Sequence, residues 1–228
     1  MKKRHLGLQG KWGHVVNSLQ EIISSYEVAS SIISIYADRR MRADSIAFAV
    51  ERGSAVLDLG AGPGGMSKLV AAKGGEPVLL DVSRAMLRTS DFENRIVGTF
   101  EFLPFREGTF DSVISGFALR DAYDLPCAIR QLAFVLKPGG RLSICDLGKP
   151  DSAVAALFVA FYLRTAPAII GLLKAGSVGR GYGSIFDTYV LALHNSELKA
   201  LLSLRFAKVE IEEKHLGGSI IVRCVKRT

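Results

Sequence analysis

Cysteine is scarce: the chain has three, Cys127, Cys145 and Cys224, and no two share a C-x-x-C spacing. That excludes a disulfide framework and a cysteine zinc site as organising devices, and it makes a reducing cytoplasm the expected compartment. The four histidines stand at no metal-ligand spacing from cysteines or acids, so no metal is expected. No stretch reaches the roughly 18 unbroken apolar residues of a spanning helix. The most apolar segment, Ala153 to Ala175, is interrupted by Arg164 and Pro167. Residues 1–12 are basic but lack the apolar core of a signal peptide. Repeats and low-complexity segments are missing, as is any arginine- and aromatic-rich tract of the kind that marks an RNA-binding appendage.

What is present describes a globular chain. Apolar residues make up 49% and charged residues 22%, and 228 residues give room for one sizeable domain but are short for two. The expectation is a single domain over 1–228, with a helical N-terminal segment at 1–51 and a helical cover at 151–195. The net charge of +7 points to nucleic acid, to an anionic membrane surface, or simply to solubility.

Hydrophobic periodicity sets the elements. Rough helical spacing covers 15–51. Strands are expected at 56–59, 77–81, 95–100, 110–115 and 141–146, with helices at 67–73, 83–89 and 125–136 between them. Two helices separated near Pro167 are expected within 153–175, because proline breaks the helical ladder. A helix at 196–204, capped by Ser196, precedes strands at 206–214 and 219–225 around Gly217-Gly218. Alternating strands and helices that close on a local strand pair give a doubly wound, Rossmann-like, mostly parallel seven-stranded sheet with an antiparallel last strand. In such a sheet Asp58, Asp81, Thr99, Ser115 and Asp146 all end strands and converge on one cleft.

The most informative local feature is Val56-Leu57-Asp58-Leu59-Gly60-Ala61-Gly62-Pro63-Gly64-Gly65. An apolar strand runs into a glycine turn, and the helix that follows offers unpaired N–H groups and a positive dipole end. Gly60, Gly62 and Gly65 fit the dinucleotide pattern G-x-G-x-x-G, with Asp81 near its acidic position, so a dehydrogenase is one reading. The other rests on Asp58, whose carboxylate can hold the loop's N–H groups or meet a cation. Pyrophosphate gains little from a nearby acid, whereas S-adenosylmethionine carries an amine and a sulfonium.

Four passages in order then resemble the class I S-adenosylmethionine-dependent methyltransferases: Leu57-Asp58-Leu59-Gly60-Ala61-Gly62, Leu80-Asp81-Val82-Ser83, Leu103-Pro104-Phe105 with Phe110-Asp111, and Leu136-Lys137-Pro138-Gly139-Gly140. Within that class, Phe117-Ala118-Leu119-Arg120-Asp121 resembles the F-G-L-R-N segment of the ubiquinone/menaquinone-biosynthesis C-methyltransferases. Asp146-Leu147-Gly148-Lys149-Pro150 resembles their E-F-S-K-P stretch, and Leu216-Gly217-Gly218 their closing T-G-G. The segment from Tyr26 to Arg42, including Ser34 and Arg39-Arg40, resembles their N-terminal signature. The likeness runs from about residue 26 to the C-terminus. Three positions depart from the family pattern: Thr99 stands for an adenine-binding acid, Asp121 for asparagine and Pro63 for threonine.

The resemblance implies S-adenosylmethionine as cofactor and S-adenosylhomocysteine as product. Asp58, Gly60, Ala61, Gly62 and Gly64 would hold its methionine part. Asp81 would take the ribose hydroxyls, since a carboxylate accepts two hydrogen bonds side by side. Val82 and Leu103 would flank the adenine, with Thr99 and the Phe100 N–H at its edge. Ser115 and Phe117 would line the methyl's path. Arg120 would stabilise a phenolate on the acceptor and Asp121 would hold a water that takes the ring proton. Tyr26, Tyr182 and His194 are candidate acceptor contacts.

The implied acceptor is a lipophilic, quinol-type aromatic, with peripheral membrane contact at the cytoplasmic face and an oligomer as open possibilities. Rival readings are another small-molecule or lipid methyltransferase, an RNA methyltransferase, and a non-catalytic binding scaffold. The absence of N-P-P-Y after the fourth strand argues against methylation of exocyclic base nitrogens, and nucleic acid is not the expected partner. Pro126-Cys127 lies too far beyond a strand end to serve as a cytosine-type nucleophile.

Overall fold

The computed structural model describes residues 6–8, 13, 38–175 and 183–228, and the side chains of 38, 166–175 and 183–185 are left aside. Its elements in chain order are α1 (Asp38–Ala49), β1 (Ala55–Leu59), α2 (Gly65–Ala72), β2 (Glu76–Asp81), α3 (Arg84–Arg88), β3 (Arg95–Val97) and β4 (Phe110–Gly116). A 3-10 turn at Leu119–Asp121 leads to α4 (Leu125–Val135) and β5 (Leu136–Leu147). Then come α5 (Ala153–Ala175), α6 (Gly183–Leu191), α7 (Asn195–Ser203), β6 (Phe206–Lys214) and β7 (Ser219–Lys226).

The seven strands form one sheet in the order β3-β2-β1-β4-β5-β7-β6. The first five are mutually parallel, and β7 runs antiparallel to both β5 and β6. The order reverses between β1 and β4, where doubly wound sheets open a crevice at the strands' carboxyl ends. The register brings those ends level: Leu59 sits opposite Leu80, and Gly116 opposite Cys145.

Strand periodicity divides the core. Leu57, Leu59, Val113, Ile144 and Val222 face one side with α4 and α7, while Val56, Ile114, Cys145 and Ile221 face the other with α1 and α2. Asp58 shares the face of Val56, so a carboxylate is folded under α1 and α2. The hydroxyls of Ser45 on α1 and Ser143 on β5 meet at 2.6 Å and pin α1 to the sheet.

Four local expectations are corrected. Helix α5 runs unbroken through Pro167, because the fixed φ of proline is itself helical and only one ladder bond is forfeited. Strand β3 ends at Val97, where Gly98 N–H donates to the Asp81 carbonyl, so Thr99 lies beyond the strand in an isolated bridge with Phe102. Strand β5 begins at Leu136, taking in the turn-like Lys137-Pro138-Gly139-Gly140 that was expected to precede it. Helix α7 begins at Asn195 with His194, not Ser196, at its N-cap.

Candidate active site

The glycine loop is a backbone construction. Gly60 takes φ +70° and donates its N–H to the Leu80 carbonyl at 2.8 Å. A Cβ at Gly60 would lie 2.3 Å from the Ala118 Cβ and 3.2 Å from the Phe100 ring, so no larger residue fits. Gly62 takes φ +55°, and nothing lies within 4 Å of where its Cβ would be. That side of the loop is open to a ligand. Gly64, at φ +87°, caps α2, and its N–H donates to the Ala61 carbonyl at 2.9 Å.

The acid that braces this loop is Asp81, not Asp58. One Asp81 carboxylate oxygen accepts from Gly62 N–H and the other from Ser83 N–H, each at 2.8 Å. The half-buried group keeps further lone pairs for outside donors. Burial raises its pKa against the pull of those backbone donors. Asp58 is 1% exposed and accepts from the Ser67 hydroxyl of α2 at 2.7 Å. Burial pushes its pKa up to about 6, opposed by that hydrogen bond and by the Arg42 guanidinium.

Arg42, on α1, reaches the same rim. Its guanidinium lies 5.2 Å from the centre of the Phe117 ring, and a Cβ on Gly116 would sit 2.8 Å from its Nη1. Ser115 is buried and its hydroxyl donates to the Leu59 carbonyl at 2.9 Å, tying β4 to β1. Phe117, just past β4, adopts φ +61°, a region that bulky residues rarely enter. Its N–H donates to the Cys145 carbonyl at 2.7 Å, which fixes the bend. Val82 is half-buried at the rim and Leu103 is buried in the main core.

The bend at Phe117 delivers the 3-10 turn. Arg120 there is not a surface ion pair but the hub of a nearly buried network. Its guanidinium is paired with Asp146 at the end of β5, donates to the Phe117 carbonyl at 2.8 Å, and reaches Thr188 Oγ1 of α6 at 3.3 Å. Its backbone N–H also donates to Asp146, at 3.2 Å. Asp121 lies beside it, with Oδ1 3.6 Å from Arg120 Nε. That distance suits an ion pair but exceeds a hydrogen bond, and Oδ1 is buried without a hydrogen-bond partner. Burial pushes the Asp121 pKa up to about 6, against the Arg120 charge and the Thr188 hydroxyl.

Among the described candidates, His194 is not part of this cluster. The His194 N–H donates to Glu197 at 3.0 Å and its Nδ1 lies 2.7 Å from the Pro150 carbonyl, a helix-capping arrangement. Tyr26 and Tyr182, and with them Ser34, lie outside the described residues. Arg39 and Arg40 are exposed on α1. Asp146, Thr188, Ser67 and Arg42 were not singled out as site residues from sequence. Asp146 alone carried a signal, as an acid ending a strand. Among the described residues no group of histidines, cysteines and acids forms a metal site, and all three cysteines are free.

Comparison with known proteins decides between the readings of the loop. A model of the methyltransferase domain matches residues 57–144. A demethylmenaquinone methyltransferase from Clavibacter sepedonicus is 31% identical over 186 residues, covering 77% of this chain and 75% of that protein. The chain belongs to the class I S-adenosylmethionine-dependent methyltransferases of the ubiquinone/menaquinone-biosynthesis type. The ubiquinone/menaquinone biosynthesis C-methyltransferase UbiE of Idiomarina loihiensis is 34% identical over 65% of this chain and 64% of its own. The fold matches that of a solved S-adenosylmethionine-dependent methyltransferase from Thermotoga maritima with a TM-score of 0.66. That match covers 94% of this chain and 100% of the other at 16% identity. The enzyme is thus a methyltransferase, and family and fold imply S-adenosylmethionine as its methyl donor. The dehydrogenase reading falls away.

Proposed function

We propose that this methyltransferase acts as a single domain and methylates a ring carbon of a lipophilic, quinol-type aromatic. The observation that carries the proposal is the pairing on one buried turn of a fixed cation, Arg120, with a carboxylate oxygen of Asp121 that has no hydrogen-bond partner. Relatives named for demethylmenaquinone support the acceptor class.

The lining fits the donor. The open side of Gly62 would admit the methionine part, Asp81 would take the ribose hydroxyls and Arg42 would answer the amino acid's carboxylate, while the buried Asp58 would act on the donor's positive charge only from beneath the loop. Thr99 and Phe100 lie at the adenine end. When bound, the sulfonium supplies an electrophilic methyl. That methyl would pass to the acceptor's ring carbon, leaving S-adenosylhomocysteine as the second product. A ring carbon becomes nucleophilic only when its neighbouring hydroxyl ionises, and Arg120 holds the resulting oxyanion. The methylated carbon then sheds its proton to Asp121, directly or through one water, and aromaticity returns. Asp146 and Thr188 position Arg120 for this work. His194 is assigned to the α7 cap.

The test uses methyl-labelled S-adenosylmethionine with a reduced demethylnaphthoquinol, and in parallel with bulk RNA. Label on a quinol ring carbon is expected. Label in RNA, on a quinol oxygen, or in neither would overturn the proposal.

A further inference from the structure

Leu6, Gly7 and Leu8 lie as a strap across the turn that carries Arg120 and Asp121. Two backbone hydrogen bonds fasten it: the Leu8 N–H donates to the Ala122 carbonyl at 2.9 Å, and the Leu125 N–H donates to the Leu6 carbonyl at 3.1 Å. Leu125 opens α4, where a helix has no internal partner for its N–H. Pro126 has no N–H to satisfy, and the Cys127 N–H donates to the Asp124 carboxylate at 2.9 Å. The Leu6 carbonyl therefore completes the first turn of α4. Leu8 is buried. Gly7 takes φ +129°, and a Cβ there would lie 2.3 Å from the Tyr123 carbonyl oxygen. Only glycine lets the strap run this close to the backbone beneath it.

The strap grips the turn at the residue that follows Asp121. That turn is a single 3-10 unit, closed by hydrogen bonds from the Asp121 N–H to the Ala118 carbonyl at 2.9 Å and from the Ala122 N–H to the Leu119 carbonyl at 3.1 Å. Hydrogen-bond geometry is poor in so short a 3-10 segment, so its direction depends on what fastens its two ends. The Cys145 carbonyl holds the Phe117 end, and the strap holds the Ala122 end. Gly7 and Leu8 also share with Arg120, Asp146, Ile144 and Ile220 the lining of a cavity of about 50 Å³. Lifting the strap would open this cavity to water beside the Arg120–Asp146 pair, and charges act more strongly where water is kept out.

We infer that Leu6, Gly7 and Leu8 are positioning residues for methyl transfer: the strap fixes the Arg120–Asp121 turn and shields the Arg120–Asp146 pair. The inference deepens the quinol reading, since it rests on the roles proposed there for Arg120 and Asp121. Among the described residues the strap's backbone bonds go to Ala122 and Leu125 and none to the glycine loop, so donor affinity should not depend on it.

The experiment compares the full chain with Gly7→Val, which the Tyr123 carbonyl leaves no room for, and with Leu8→Asp. Melting curves set an assay temperature at which every variant is folded. Amide hydrogen exchange followed by NMR should quicken about tenfold or more at Asp121, Ala122 and Leu125 in both variants. Their kcat with a soluble quinol should fall about tenfold to a hundredfold, with S-adenosylhomocysteine affinity unchanged. The conservative Leu8→Met should restore both exchange and turnover. A strap that merely adds stability predicts wild-type kcat in the folded variants, and that result would overturn the inference. Wild-type exchange at Asp121 and Ala122 would overturn it as well, as would a loss of S-adenosylhomocysteine affinity matching the loss of rate. If the wild type methylates no quinol, the acceptor reading fails, and exchange at Asp121 and Ala122 alone decides whether the strap fixes the turn.

Discussion

The proposed donor side and the proposed acceptor side of the cleft are built by different means. On the donor side the backbone does the holding: Gly60 and Gly62 adopt angles that larger residues avoid, and loop N–H groups are tied to the Leu80 carbonyl and the Asp81 carboxylate. On the acceptor side, side chains from distant parts of the chain converge. Arg120 meets Asp146, 26 residues on, and Thr188, 68 residues on. One Asp121 oxygen is left unsatisfied within that network. A backbone cradle keeps its geometry through many sequence changes, whereas a buried charge network depends on each member.

Arg120 should break the comparison hardest. Removing one donor to a developing oxyanion costs about a thousandfold in kcat at most, and Arg120→Lys should approach that, because a point charge does not reproduce the guanidinium fork. Arg120→Ala should in addition destabilise the fold by about 3–5 kcal/mol, since Asp121 and Asp146 would stay buried without their cation. Stopped turnovers and denaturant melts separate the two effects. On the donor side, Asp81→Ala should weaken S-adenosylhomocysteine binding about a hundredfold, from lost charge-assisted hydrogen bonds and a slackened loop. Calorimetric titration reads this directly.

Asp121→Asn sharpens the comparison through pH. As a base, Asp121 must be ionised, so wild-type kcat should rise through pH 6 and level off above it, while the variant loses that limb and about tenfold in rate at neutral pH. Stability should move the other way. A carboxyl raised from 3.8 to about 6 in the folded chain binds protons more readily there than when unfolded. Its stabilising contribution is complete below pH 3.8 and is lost as pH rises through 6. The variant should therefore be more stable than wild type at pH 8, by up to about 3 kcal/mol, with no advantage at pH 3.5. Equal melting temperatures at both pH values would contradict the burial argument. The smallest effect belongs to Thr188→Val, which should lower kcat a few-fold and leave the affinity for S-adenosylhomocysteine unchanged.

Legibility in the sequence follows the same division. The sheet could be read because strand and helix periods alternate and glycine turns punctuate them. The conformation of the glycine loop could be read because its residues are contiguous and glycine is demanded by the backbone. Thr99 was misplaced because Gly98 ends β3 early through a hydrogen bond across the sheet. Pro167 was overweighted because its φ suits a helix even though its missing N–H does not. His194 drew attention as a titratable group, while the acid three residues on, Glu197, marked it as a cap. Arg42 closes a segment that resembled the family signature but gave no hint of its place at the rim, and Thr188 gave no local signal, since only the fold brings α1 and α6 there.

The most direct test of the division of labour sets turnover of a soluble quinol beside S-adenosylhomocysteine affinity in Arg120→Lys. The account predicts wild-type affinity with turnover reduced by two to three orders of magnitude. Wild-type turnover, or a loss of affinity that matches the loss of rate, would contradict it.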